Sequence, residues 1–334
     1  MLNIGSFDGF RIFLPEAEII PESQAMVDRI YAENRRFLEN EPEEKYSPRP
    51  ITGTFIYAHP PDYVGTPTLT WRKTEWNQAF QKLRKHGMDT VILQASVWNE
   101  LEEVYYPSKM FSAFRSWNVV EPMLEAAKTN GLTVFLGGYG SVSGWNPGLD
   151  ETAIEREIMR QTGSMTELLK YRELFDGVYY SPETAFPGKR DLRREAGLNR
   201  IYREYLNRIK ELAPEKKILM SPASIFYPDT EQNFLASWQA ILDGVPLDIL
   251  APQDSIGCSC CSLYDQTELW RSWHRLAQLR KLSLWANIEL FERKEFGGPA
   301  PFVTASPERI AAQCRNVAPF AEKNICWEAL YFHL

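Results

Sequence analysis

Short runs of β-branched and aromatic residues recur along the chain, each separated from the next by a longer stretch with apolar positions at helical spacing. Ile51–Ala58, Thr90–Ser96, Thr133–Gly137, Gly177–Ser181, Lys217–Ser221, Leu247–Ala251, Leu282–Ile288 and Ile325–Tyr331 read as strands. Trp71–His86, Trp117–Asn130, Glu151–Phe175, Leu192–Leu212, Asn233–Leu242, Glu268–Arg280 and Pro307–Ala321 read as the intervening helices. Gly87 and Gly131 stand where the first two of these helices should stop.

Near-continuous apolar strands alternating with amphipathic helices mean a parallel sheet covered by helices. Eight such strands favour closure into an α/β barrel, the (β/α)8 TIM barrel. The pattern stops at the eighth strand, so the usual last helix is absent. A further helix, Pro21–Leu38, precedes the barrel and carries Val27, Ile30, Tyr31 and Leu38 on one face. An apolar stripe is unfavourable in water, so this helix is expected to cover the gap beside the first and eighth strands. The charged, proline-rich Glu39–Pro50 links the two parts, giving an N-terminal extension over 1–49 and a single barrel domain over 50–334.

Composition narrows the function classes. Lys and Arg are scattered through a chain of net charge −7, which argues against nucleic acid as a partner. No run of about 18 apolar residues suits a membrane helix. The N-terminus lacks a basic-then-apolar signal pattern, so the expectation is a cytoplasmic protein, or a secreted one whose leader has been removed. Cys258, Cys260 and Cys261 crowd together, but not at the spacing of zinc ligands, and neither a metal nor another cofactor is expected. Reduced thiols packed near a loop are the plainer reading.

Barrel enzymes work at the C-terminal ends of their strands. There the sequence puts Tyr57 and His59, then Gln94, Ser96 and Trp98, Tyr139 and Trp145, and Glu183. It continues with Ser221, Gln253 and Asp254, Asn287 and Glu289, and Trp327 and Glu328. Indole and phenol rings beside amides and carboxylates suit a sugar, whose C–H face stacks on an aromatic ring and whose hydroxyls need several donors and acceptors. A carbohydrate, as an oligo- or polysaccharide, is the expected partner. Period-two alternation puts Gly177, Tyr179, Ser181 and Glu183 on one side of their strand, and Trp285, Asn287 and Glu289 on one side of theirs. Two carboxylates facing each other across a cleft are what acid/base cleavage of a glycosidic bond requires. Each acid also has a plainer reading. Glu183 fits a capping or salt-bridging role, Glu289 a partnered acid at a strand end, and Asp254 an Asx-turn rather than a sugar ligand or third acid. Glu328 fits either a sugar contact or a buried charge paired with an arginine.

Glutamates after the fourth and seventh strands resemble the layout of retaining glycoside hydrolases of clan A, over roughly residues 50–334. The resemblance implies Glu183 as general acid/base and Glu289 as nucleophile. The chain departs from that pattern at Pro182, where the clan usually has an asparagine that holds the sugar 2-hydroxyl. The segments GMDTVILQ, APQDSIG and LWANIELFE also look like those of a bacterial family of glycosidase-like barrels of unassigned function, which implies a barrel and a carbohydrate role. The alternatives are a glycan-binding barrel without catalysis and a phosphate-binding, aldolase-type barrel. Against the latter, no strand interior carries a Schiff-base lysine, and the chain ends just past the eighth strand.

Overall fold

The computed structural model describes residues 21–40, 46–60, 67–141, 150–186, 189–224, 230–295, 302–332 and 334. Strands β1 (Ile51–Ile56), β2 (Thr90–Leu93), β3 (Thr133–Gly137), β4 (Gly177–Tyr180), β5 (Lys217–Met220), β6 (Ile249–Leu250), β7 (Ser283–Glu289) and β8 (Lys323–Trp327) close into one ring. Every neighbouring pair in the ring is parallel. A closed ring leaves no exposed edge, and parallel order brings all eight C-terminal strand ends to one rim.

The interior of the ring is filled mainly from single positions on each strand: Phe55, Ile92, Phe135, Tyr179, Leu219, Ile249 and Ile325 are buried there, with Trp285 packed against them. The opposite faces of the strands pack against helices α2 (Lys73–Lys85), α3 (Val120–Thr129), α4 (Glu151–Leu168), α5 (Leu192–Leu212), α6 (Glu231–Ile241), α7 (Leu263–Arg280) and α8 (Pro307–Val317). Side-chain oxygens of Asp150, Asp191, Thr230, Ser262 and Ser306 cap the N-termini of α4 to α8. Gly87 and Gly131 follow α2 and α3 with φ of +83° and +63°, which only glycine adopts cheaply.

Three findings differ from the sequence reading. The N-terminal helix, α1 (Pro21–Glu39), packs on α7 and α8 rather than beside β1 and β8. Val27, Ile30 and Asn34 are its buried positions, whereas Tyr31 is 44% exposed. Asn34 accepts the N–H of Leu263 at 2.8 Å, and Phe37 meets the ring of Tyr264 edge-on. The apolar stripe therefore finds a helical partner, not a gap. Secondly, β8 ends at Trp327, and Ala329–Phe332 turns into a short helix, α9, against β1. The Ala329 N–H donates to Thr54 Oγ1 at 3.0 Å. An apolar groove of about 410 Å³ remains between Pro48–Ile51 and α8. Thirdly, the β2 and β3 loops build a four-stranded sheet in the order Arg115–Ser116, Glu103–Val104, Val97–Trp98, Tyr139–Gly140. Two-residue strands leave too short a period for a sequence to reveal.

Candidate active site

A polar layer lies just above the apolar interior, at the C-terminal rim. Gln94 follows β2, Glu183 follows β4, Ser221 follows β5, Gln253 follows β6, and Asn287 stands in β7. Gln94 Nε2 donates to Glu183 Oε1 at 3.1 Å and reaches the Ser181 carbonyl at 3.4 Å. Asn287 Nδ2 donates to Ser221 Oγ at 3.0 Å, and the Gln253 and Asn287 backbones are bridged in parallel. Among the described residues none hydrogen-bonds the buried Ser181 hydroxyl or Asn287 Oδ1.

Burial pushes the Glu183 carboxyl from its ordinary 4.5 to about 8, against the opposing pull of hydrogen bonds from Gln253 and Gln94. Glu183 thus holds its proton at neutral pH, the state a general acid needs. Glu289, the last residue of β7, is 2% exposed. Its Oε2 accepts the Cys258 N–H at 2.7 Å, because the loop after β6 folds across it. Burial, then the neighbouring Cys258 and Asp254, raise its carboxyl well above the ordinary value.

Asp254 is fully buried behind Glu289. Its Oδ1 accepts the Ile256 N–H at 3.3 Å, which is an Asx-turn, and the Glu289 N–H at 3.3 Å. Its Oδ2 accepts from Gln313 at 2.5 Å and Gln266 at 3.4 Å, both on the helix layer. Asp254 therefore faces the helices. Glu328 is also fully buried; its Oε1 accepts the Tyr331 N–H at 2.6 Å, so it caps α9 instead of pairing with an arginine.

The remaining expected residues divide between the rim and the accessory sheet. Trp327 Nε1 donates to the Tyr57 hydroxyl at 2.5 Å, joining β8 to β1 by a half-buried aromatic pair at the rim. His59, 15% exposed at its side chain, holds Glu103 Oε2 through Nδ1 at 2.7 Å. Trp98 is buried in the accessory sheet, with its ring against Gly140. Tyr139 is fully buried, stacked on Phe111, with its hydroxyl bonded to Arg160 at 2.5 Å. It is thus engaged within the accessory packing and not with the polar layer. Trp145 lies outside the described residues. Among the described residues no group of three or more His, Cys, Asp or Glu is arranged to hold a metal ion. The cysteines are free thiols. Among the described residues no helix is long and apolar enough to cross a membrane.

Sequence reasoning passed over Glu103, which is fully buried yet accepts from His59, Arg115, Tyr105 and Trp117. It also passed over Arg309, Gln313 and Gln266, which surround Asp254. Nothing in their local pattern separates them from the exposed polar residues of an ordinary helix or loop.

Several solved glycoside hydrolases share this fold. A Bacteroides thetaiotaomicron VPI-5482 protein provisionally named an α-L-fucosidase superposes with a TM-score of 0.69 at 21% identity, over 86% of this chain and 88% of that one. The exo-β-1,4-mannosidase Op5Man5 from Opitutaceae bacterium strain TAV5 gives 0.52 at 15% identity, over 86% of this chain and 54% of the mannosidase. The family 1 β-glucosidase from Thermotoga maritima gives 0.53 at 9% identity, over 85% and 89%. At these identities the likeness is one of fold. A search of curated proteins finds no match. Residues 51–334 match the family model described as domain of unknown function (DUF4434), and the chain belongs to that family.

Proposed function

We propose that the protein is a glycoside hydrolase acting on an oligo- or polysaccharide with retention, with Glu183 as general acid/base and Glu289 as nucleophile. One observation carries the reading. Two glutamates far apart in sequence follow or end β4 and β7 of a closed parallel ring, so they share one rim, with an amide layer between the strands that bear them. The names of the solved relatives, all of sugar-cleaving enzymes, support the same class.

In the first step Glu289 attacks the anomeric carbon while protonated Glu183 donates to the departing glycosidic oxygen. In the second, Glu183 takes a proton from a water that displaces Glu289 and releases the sugar. Retention requires carboxyl groups about 5–5.5 Å apart, whereas about 6.5–9.5 Å fits inversion. The Gln94, Gln253 and Asn287 amides would meet sugar hydroxyls, and the Tyr57–Trp327 pair the apolar face of the ring.

The test is a panel of aryl α-L-fucosides, β-mannosides and β-glucosides with polysaccharides, run on the wild type, Glu183→Gln and Glu289→Gln. The released anomer is followed by NMR. Loss of the proton donor should lower kcat by about 10²–10⁴ on substrates with poor leaving groups. Unchanged turnover in both variants would refute the assignment. A glycan-binding barrel without catalysis is the second reading, favoured by Pro182 and by the near-complete burial of both carboxyls. In that case the wild type turns over nothing, and Glu183→Gln leaves glycan affinity nearly intact.

A further inference from the structure

β6 is only two residues long, and Pro252 follows it closely, so the ladder between the sixth and seventh strands ends early. The Asn287 N–H still reaches the Pro252 carbonyl, and the Asp254 N–H reaches the Asn287 carbonyl, both at 3.0 Å. One step further, at Glu289, side chains replace the backbone. Asp254 Oδ1 takes the Glu289 N–H at 3.3 Å. The Glu289 carbonyl accepts from Arg309 Nη2 at 3.2 Å and from Gln313 Nε2 at 3.3 Å. Arg309 Nη2 also donates to the Phe291 carbonyl. Both polar groups of the Glu289 backbone are thereby held from behind by α8 and the Asp254 turn.

The same cluster brings two buried carboxyls beside the Arg309 guanidinium, with Asp254 and Glu289 at 0% and 2% exposure and Arg309 at 2%, and the buried Arg293 acts on the neighbouring Cys258. Two carboxyls buried side by side do not readily ionise together, so one keeps its proton. The hydrogen bonds say which. Asp254 accepts from four donors: the Ile256 and Glu289 N–H groups, Gln266 and Gln313. Among the described residues the Glu289 carboxyl accepts from one, the Cys258 N–H. A carboxylate is stabilised by each donor it accepts, so the charge belongs on Asp254.

We propose that Asp254 and Arg309 are positioning residues for Glu289, fixing its main chain from behind, and that burial together with the Asp254 carboxylate keeps the proton on the Glu289 carboxyl in the resting protein. The groups facing Glu289 are Cys258 and Cys261 on the loop after β6, Asp254 in its turn, and Arg309 on α8, which also faces Glu292. The directions agree: burial raises Asp254 only to about 6, where Arg309 and Gln313 oppose the rise, while Glu289 goes well above its ordinary value. This inference rests on the Glu183/Glu289 reading for its catalytic meaning. Under it, the carboxylate that attacks is the minor form of Glu289 at rest, and it forms by releasing its proton to solvent water before the first displacement.

The experiment needs no substrate, so its failure is separate from a failure of the hydrolase reading. The full chain is labelled with ¹³C at Glu and Asp side-chain carboxyls, and Glu289 and Asp254 are assigned from Glu289→Gln and Asp254→Asn. In the wild type, the Glu289 resonance should sit at the protonated position through pH 7, while the Asp254 resonance should have moved to the ionised position by pH 7. Asp254→Asn removes the repelling charge, and the Glu289 titration should move down by about one pH unit or more. Glu289→Gln keeps the neutral shape, guards against a variant that fails to fold, and should leave Asp254 ionised at pH 7. An ionised Glu289 at pH 6, an unmoved titration in Asp254→Asn, or an Asp254 that ionises only in Glu289→Gln would each overturn the proposal.

Discussion

Replacing Glu183 by Gln should make the protein more stable, and only above the ordinary carboxylate range. Burial holds the Glu183 carboxyl at about 8 in the folded chain, against 4.5 when it is unhindered. Below 4.5 it is protonated in both states and does not alter stability with pH. Between those values the folded protein binds a proton that the unfolded chain has released, so stability falls as pH rises, and the loss is complete above the folded value. The interval of roughly three and a half units, at about 1.36 kcal/mol each, comes to about 5 kcal/mol above pH 8 and about 3 kcal/mol near pH 7. The amide introduced by Glu183→Gln would carry no charge, and its Oε1 could still accept from Gln94. Urea denaturation of the wild type and Glu183→Gln should therefore give nearly equal stabilities at pH 4.5. At pH 8.5 the variant should lead by several kcal/mol, with a rise of several degrees in Tm. A difference of the same size at both pH values, or a variant weaker at pH 8.5, would mean that Glu183 is not desolvated as described. The same variant should lose any glycosidase activity, a pairing of stability with function typical of residues held against their own preference.

Two other substitutions test the surroundings. Glu103→Gln should cost about 2–3 kcal/mol at pH 7, because the carboxylate accepts from Tyr105 and Trp117 at 3.2 Å, from His59 at 2.7 Å and from Arg115. Although burial opposes it, bonding to His59 and Arg115 holds this acid below 4.5. Its contribution is present above 4.5 and fades as pH falls through the folded value, so denaturation near pH 3 should show a smaller gap; a gap that widens there contradicts the account. Gly257→Ala would drive a Cβ into the Phe291 carbonyl and put it 2.9 Å from Glu289 Cβ. The strain should cost about 1–3 kcal/mol and shift the loop that gives the Cys258 N–H to Glu289, read as a lower Tm and, in an active enzyme, lower kcat. An alanine tolerated without either effect would show that the loop is not packed as tightly as described.

Much of the ring was written in local pattern. Val134–Leu136 and Ile218–Met220 are continuous apolar runs because each strand is covered on both faces, and such runs sit between helices with visible caps. The parity that set Tyr179 on the side of Glu183 and Trp285 on the side of Glu289 follows from two-residue alternation, and the structure turns that side to the ring interior. The apolar run misled at the end of β8, where ALYF continues it but forms α9, since Glu328 caps the main chain there and Thr54 takes the Ala329 N–H. The position of α1 was equally out of reach, because an apolar stripe says that a partner exists and not which one.

Local chemistry along the chain settled the repeated strand–helix unit, and hence that Glu183 and Glu289 sit at corresponding strand ends, because hydrophobic period and capping residues act over a few neighbours. What surrounds each acid was set by the folding of distant segments onto one another. Gln94 reaches Glu183 across 89 positions of chain, and Gln313 reaches Asp254 across 59. Whether a carboxyl keeps its proton depends on burial and on donors brought from such distances, and those quantities exist only once the ring has closed.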